Sequence, residues 1–173
     1  MTTEERPRKP RKSGARRRAR ELALAALYRA DLLDLRASAA ISAIQDILAL
    51  AIEEWPEKDR HVDHIREEAL EYAVRIINGV CTDRDGIDEI INRIATHWPV
   101  GRQSVTDRTI LRIALWELSL DEHAPAVIVN EAVEVAGDFG GPESSKFVNG
   151  ILGAKLKEEP AEPVPDEAPQ QEQ

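Results

Sequence analysis

Four small groups of residues have types and spacings that could do chemistry. His61-x-x-His64, with Glu67 and Glu68 just behind, would put two imidazoles on one face of a helix. Two ligands do not define a metal site without a third from elsewhere in the fold. The single cysteine, Cys81, has no CxxC partner and no nominated base, so it reads as a small buried hydrophobe rather than a nucleophile. Asp138-Phe139-Gly140 spells a kinase triplet, and Gly140 to Lys146 faintly resembles a phosphate loop. Neither comes with Walker spacing, a strand lysine or a catalytic loop. GxSxG, HExxH and GxGxxG motifs do not occur. The expectation is a protein that is not an enzyme, with no cofactor and no metal ion.

Recognition chemistry is better represented. On a helix turning about 100° per residue, Arg17, Arg20, Leu24 and Tyr28 fall in one sector. Guanidiniums pair with phosphates or stack on base planes, and a phenol ring stacks on bases, which together suit a single-stranded nucleic acid. The competing reading of Tyr28 is an ordinary tyrosine at the edge of the core. A second candidate is Ser144, Ser145 and Lys146, in the first turn of the last helix, where free backbone N–H groups favour anions. Its competing reading is a capping turn with a solvated lysine.

The charge distribution points the same way. The chain has 173 residues and a net charge of −9, yet residues 1–20 hold nine Lys or Arg against Glu4 and Glu5. That local +7 leaves −16 on the rest, and residues 158–173 hold six acids and no base. A basic arm on an acidic body attracts phosphate at one end and repels it elsewhere; the alternative is a solvated tail. The length suits one domain with a sizeable core. One cysteine excludes an internal disulfide framework. The longest apolar stretches, such as Ala37–Ile52, are interrupted by Ser, Gln and Asp and fall short of the roughly 18 apolar residues of a membrane span. The N-terminus lacks the apolar region of a secretory signal. A cytoplasmic protein without a membrane partner is expected.

The elements that must position these residues are helical. Residues 1–14, rich in Pro, Arg and Lys, predict a disordered basic arm. Ser13 offers an N-cap for a helix from Ala15 to about Leu35, with Leu22, Ala23, Ala26, Leu27, Ala30 and Leu33 inward. A second helix is expected over Ser38 to about Glu54, broken by Trp55-Pro56. A third runs from Val62 to about Val80, weakened at Gly79, and a fourth is capped by Thr82 or Asp83 and closed by Pro99 and Gly101. A fifth spans Ser104 or Asp107 to Leu120. Ala126 to about Gly137 is rich in β-branched residues, but the spacing of Ile128, Ala132 and Val135 favours helix over strand. The last helix starts at Pro142 or Glu143, with Phe147, Val148, Ile151, Leu152 and Leu156 inward. Residues 158–173 predict an acidic, Pro-rich disordered tail. The class is all-α, with about seven helices in a compact bundle or pair of bundles.

Four segments, in order, resemble the NusB family of transcription antitermination factors: Ala15-Arg-Arg-Arg-Ala-Arg-Glu-Leu-Ala-Leu-Ala-Ala-Leu-Tyr28, Leu111-Arg-Ile-Ala-Leu-Trp-Glu-Leu118, Val129-Asn-Glu-Ala-Val-Glu-Val-Ala136 and Ser145-Lys-Phe-Val-Asn-Gly-Ile151. The resemblance covers residues 15–157 and is thin over Ala37–Asp63. It implies two packed three-helix bundles with the Arg-rich helix at an edge. It also implies binding to boxA, single-stranded in nascent ribosomal RNA leaders, together with NusE, a small-subunit ribosomal protein, within the RNA polymerase antitermination complex. Carried onto this chain, the RNA-facing residues are Arg16, Arg17, Arg18, Arg20, Tyr28, Lys146 and Phe147, and those facing NusE are Asp107, Arg108 and Tyr28. The family includes monomers and homodimers, so both stay open. Two departures stand out. The segment between Tyr28 and Tyr72 is longer than usual, and Ser145 stands where some members have a basic residue or His.

Two rival functions follow from the same residues. One is an RNA-binding accessory module like the helical domain of ribosomal RNA cytosine methyltransferases, which requires a catalytic domain that the tail to Gln173 is not expected to supply. The other is a protein-binding helical adaptor with a solubilising arm.

Overall fold

The computed structural model describes residues 14–34 and 63–158. The expected second helix, the basic arm before Gly14 and the tail beyond Glu158 lie outside the described residues. Within them are five α-helices and no strand: α1 (Ala15–Leu32), α2 (Asp63–Ile94), α3 (Val105–Ser119), α4 (Pro125–Phe139) and α5 (Ser144–Lys155). A single 3-10 turn, Val100–Arg102, links α2 to α3.

The apolar stripe of α1 is buried as its spacing predicts, at Leu22, Ala23, Ala26, Leu27 and Ala30. Leu33 lies beyond the helix and is exposed, because the chain leaves the helix at Asp34, whose φ is +50°. Asp tolerates that left-handed conformation better than most residues. The N-cap position is Gly14, and the expected cap Ser13 lies outside the described residues.

The largest correction concerns α2, which is one helix of 32 residues where two were expected. Gly79 is not a terminator. A Cβ built on it would lie 1.9 Å from Trp116 Nε1, so glycine is present because the indole of α3 crosses directly over the backbone of α2. Thr82 is not an N-cap either. Its Oγ1 donates to the carbonyl of Asn78, one turn back, at 2.8 Å, a local bond that leaves the helix continuous. Glycine costs a helix interior about 1 kcal/mol relative to alanine, which burial of Trp116 at 5% exposure can offset.

Helix α3 is the hub. Ser104 caps it, accepting from Asp107 N at 3.0 Å, and every residue from Thr109 to Glu117 is buried. A helix buried all round belongs in the middle of a fold, and α3 packs against α1, α2, α4 and α5. The β-branched segment is helical as its spacing predicts, with Ile128, Ala132 and Val135 inward. The tight α4–α5 turn depends on Gly140, where a Cβ would meet Ser144 Oγ at 2.4 Å. None of the described helices is long and apolar enough to cross a membrane.

Candidate nucleic-acid interface

The arginine row of α1 points in several directions because consecutive residues on a helix are about 100° apart. Arg16 is exposed and its guanidinium lies 5.1 Å from the centre of the Tyr72 ring, within cation–π range. Arg18 Nη1 donates to Glu21 Oε2 at 2.8 Å. Arg17 reaches across to α4. Its Nη2 donates to Asp138 Oδ2 at 2.6 Å and its Nη1 to Glu134 Oε2 at 3.4 Å. Glu131 Oε2 lies 3.8 Å away, and Arg17 Nε donates to Glu21 Oε1 at 3.1 Å.

Arg20 turns inward. It is 5% exposed, and its Nε and Nη2 each donate to the Glu117 carboxylate at 2.9 Å. Tyr72 Oη donates to the same carboxylate at 2.6 Å. Burial opposes the charge on Arg20, but the hydrogen bond and charge of Glu117 outweigh it and raise its pKa. Burial and the bond to Glu117 push the Tyr72 phenol up to about 12. Arg20 Nη1 also donates to Glu131 Oε2 at 3.3 Å, so this buried knot shares one carboxylate with Arg17. Removing one partner of such a buried pair strands the other charge and costs about 3–5 kcal/mol.

The predicted sector of Arg17, Arg20, Leu24 and Tyr28 is therefore not one open strip. Arg20 and Leu24 are buried, Arg17 is shared among carboxylates and Tyr28 is exposed. Along the axis Tyr28 lies about 16 Å from Arg17. What joins the arginines to the second candidate is Asp138. It ends α4 beside the Gly140 turn, and α5 begins four residues after the turn's glycine, with Lys146 in its first turn. Ser145 Oγ donates to the Val133 carbonyl at 3.1 Å, tying α5 down onto α4. Lys146 has an 87% exposed side chain, facing Glu143 at 3.8 Å. Phe147 is half-buried and packs against the core.

Tyr28 lies toward the other end of α1, one turn before the residue that pairs with Arg108. Asp31, one turn after Tyr28, accepts from Arg84, Arg108 and Arg112, and Arg112 is itself bidentate to Asp88 at 2.7 and 2.8 Å. This clamp presses the start of α3 against the last turn of α1. Burial alone would raise the Asp31 carboxyl, but the hydrogen bond from Arg108 and the charges of the three arginines hold it below the ordinary value. Asp107 and Arg108 are both partly buried.

Sequence reasoning missed Glu117, Asp31, Arg112 and the α4 acids. Glu117 lies three residues after Ala114 and Asp31 four after Leu27, each on a stripe already assigned to the core. A charge on such a stripe was the available signal. Cys81 is half-buried, and burial raises its thiol pKa. His61 and the His64 side chain lie outside the described residues. Among those described, no three His, Cys, Asp or Glu side chains gather as metal ligands.

Comparison with known proteins bears on this geometry. Residues 17–157 match the NusB family. The transcription antitermination protein NusB of Symbiobacterium thermophilum is 39% identical over 144 residues, 83% of this chain and 90% of that protein. The T. maritima NusB structure superposes with a TM-score of 0.67 at 33% identity, covering 83% of this chain and 91% of that one. A structure of the antitermination factors NusB and NusE with double-stranded RNA superposes with a TM-score of 0.63 at 26% identity, over 81% of this chain and 94% of that one. The match along most of the chain, in sequence and in the arrangement of helices around α3, shows that the chain belongs to the NusB family of transcription antitermination proteins.

Proposed function

We propose that this protein is an RNA-binding antitermination factor that recognises boxA in nascent ribosomal RNA leaders together with NusE, and acts in the cytoplasm within the RNA polymerase antitermination complex. One observation carries the reading. The Arg17–Asp138 pair ties the arginine row of α1 to the last turn of α4, eight residues and one tight turn before Lys146 of α5. That link supports reading the two cationic segments, on an otherwise acidic body, as one track for a single RNA strand. Arg16 and Lys146 are its most accessible cations, Arg17 and Arg18 join when their carboxylates yield, and Phe147 supports the turn from below. Arg20 contributes by holding α1 in place. The clamp ties Asp31, one turn after Tyr28, to Arg108, the neighbour of Asp107, which supports this end of α1 as the NusE edge, with Tyr28 serving either ligand. The functional unit is residues 15–157, with residues 1–14 as a basic arm and 158–173 as an acidic tail. The fold is taken as two three-helix bundles, supported by the packing of α1 on α2 and of α4 on α5, with all four helices also packing on α3.

The test is a fluorescence titration of labelled boxA RNA and a scrambled RNA, with and without NusE. Preference for boxA, strengthened by NusE and weakened by salt, is the expected result. Equal affinity for both RNAs under both conditions would overturn the reading.

A further inference from the structure

We propose that Asp138, backed by Glu134 and Glu131, is an internal substitute for an RNA phosphate: it occupies the Arg17 guanidinium until a transcript displaces it, and so sets the affinity and salt response of the RNA edge. The inference rests on the RNA reading above and assigns a role that the reading leaves open.

Three features of the geometry support it. First, Glu131, Glu134 and Asp138 are spaced by three and four residues along α4, which aligns them on one helical face, and all three approach the guanidinium of Arg17. Second, Asp138 lies in the last turn of α4, where the helix dipole disfavours a carboxylate. Local helix energetics therefore oppose an acid there, and its tightest contact, 2.6 Å, is to Arg17 Nη2. Third, the exposure is graded so that exchange can happen. The Asp138 side chain is 57% exposed and that of Arg17 13%, whereas Glu117, which holds Arg20, is 2% exposed and Arg20 6%; water reaches the Arg17 pair through its acid. Guanidinium binds carboxylate and phosphate through the same fork of N–H donors, so one oxyanion can replace the other at Arg17 without moving α1. At Arg20 the same exchange would require opening the core.

The exchange has a definite electrostatic consequence. When a phosphate takes Arg17, Asp138 is returned to water next to the incoming strand. The freed carboxylate attracts a cation as the phosphate gives one up, which blunts the salt dependence of binding. Contact at Arg17 alone is then nearly an even exchange. It becomes favourable for a strand that also engages Arg16 and Lys146, so the acids act against polyanions that touch only part of the edge.

The experiment is a double-mutant cycle on the full chain, with Asp138→Asn, Arg17→Ala and both together, titrated with labelled boxA RNA between 50 and 200 mM salt. Thermal unfolding of each variant verifies folding, and Arg17→Gln, which keeps the length and removes the charge, replaces Arg17→Ala if the latter does not fold. Asp138→Asn should bind about 2- to 5-fold tighter at 50 mM salt, the size of one exposed ion pair. Its log–log salt slope should steepen by about 0.7, one added contact to a single strand. Both gains should vanish in the Arg17 background. Unchanged or weaker binding by Asp138→Asn overturns the proposal, and so does an equal gain with Arg17 absent, which would mark a general charge effect. If the wild-type protein does not bind RNA at all, the RNA reading fails and the proposal falls with it. If wild type binds and the cycle shows no coupling, only the proposal fails.

Discussion

Arg20 and Arg17 leave the same helix three residues apart. One ends 5% exposed, locked to a carboxylate that also accepts from Tyr72; the other ends at the rim, divided among four carboxylates, the tightest of them more than half exposed. Both are arginines paired with acids, and in sequence they are indistinguishable. What differs is whether water can reach the acid. A buried partner cannot be exchanged, so the pair becomes part of the core and its loss is read in stability. A solvated partner can be exchanged for phosphate, so that pair is read in binding. The guanidinium alone does not make a nucleic-acid contact.

The sharpest way to break this contrast is Arg20→Ala. It should cost about 3–5 kcal/mol of unfolding free energy by leaving the Glu117 charge buried and unpaired. Urea denaturation measures this, and stability within about 1 kcal/mol of wild type would place Arg20 with the exchangeable arginines instead.

The clamp at the other end of α1 comes next. Asp31→Asn keeps the shape and removes the charge that three guanidiniums share, at an expected cost of about 2 kcal/mol. It also carries a pH signature. Because the folded Asp31 carboxyl titrates below its unfolded value of roughly 4, the stability it contributes is complete above that value and is lost as the pH falls through the lower, folded one. Wild type should therefore lose stability on acidification below about pH 4 more steeply than Asp31→Asn. Parallel acid profiles for the two proteins would contradict the clamp.

Smaller effects should appear in binding. Tyr28→Ala removes an exposed aromatic next to the proposed NusE edge and far along the helix from Arg17. It should weaken the NusE-dependent gain in RNA binding by about 1–2 kcal/mol, and lower the affinity of the isolated chain for boxA much less. A loss confined to the isolated chain would move Tyr28 onto the RNA edge. Lys146→Ala is the mildest. A few-fold loss of RNA affinity with an unchanged unfolding midpoint is expected, since its side chain is 87% exposed and faces Glu143 at 3.8 Å. A destabilised protein would show that the turn, not the RNA, depends on this lysine.

Much of this was legible in the residues. The apolar stripes of α1, α4 and α5 emerge on the faces their periodicity marks, because a helix converts spacing directly into direction; the exceptions, Leu33 and Leu156, are exposed because each lies just past its helix's end. The ordered family segments likewise survive as α1, α3, α4 and the start of α5. Gly79 and Thr82 were misleading. Both have chemistry that ends helices in isolation, and here both sit within one, glycine under the Trp116 indole and threonine bonded back to Asn78. Trp116 lies far from Gly79 in sequence, so no local pattern could reveal that contact.

The sequence by itself determined the helical class, the inward faces, the cationic start of α1 and the family. Each depends on composition, on local periodicity or on ordered segments, which are properties of neighbouring residues. Tertiary structure alone decided which arginine's partner is sealed from water and which partner water reaches, that Asp31 gathers three guanidiniums, and that the α4 acids meet Arg17. Those outcomes depend on which helix packs beside which and how far water follows, and the pairing of charges distant in the chain is set only when the helices close around α3.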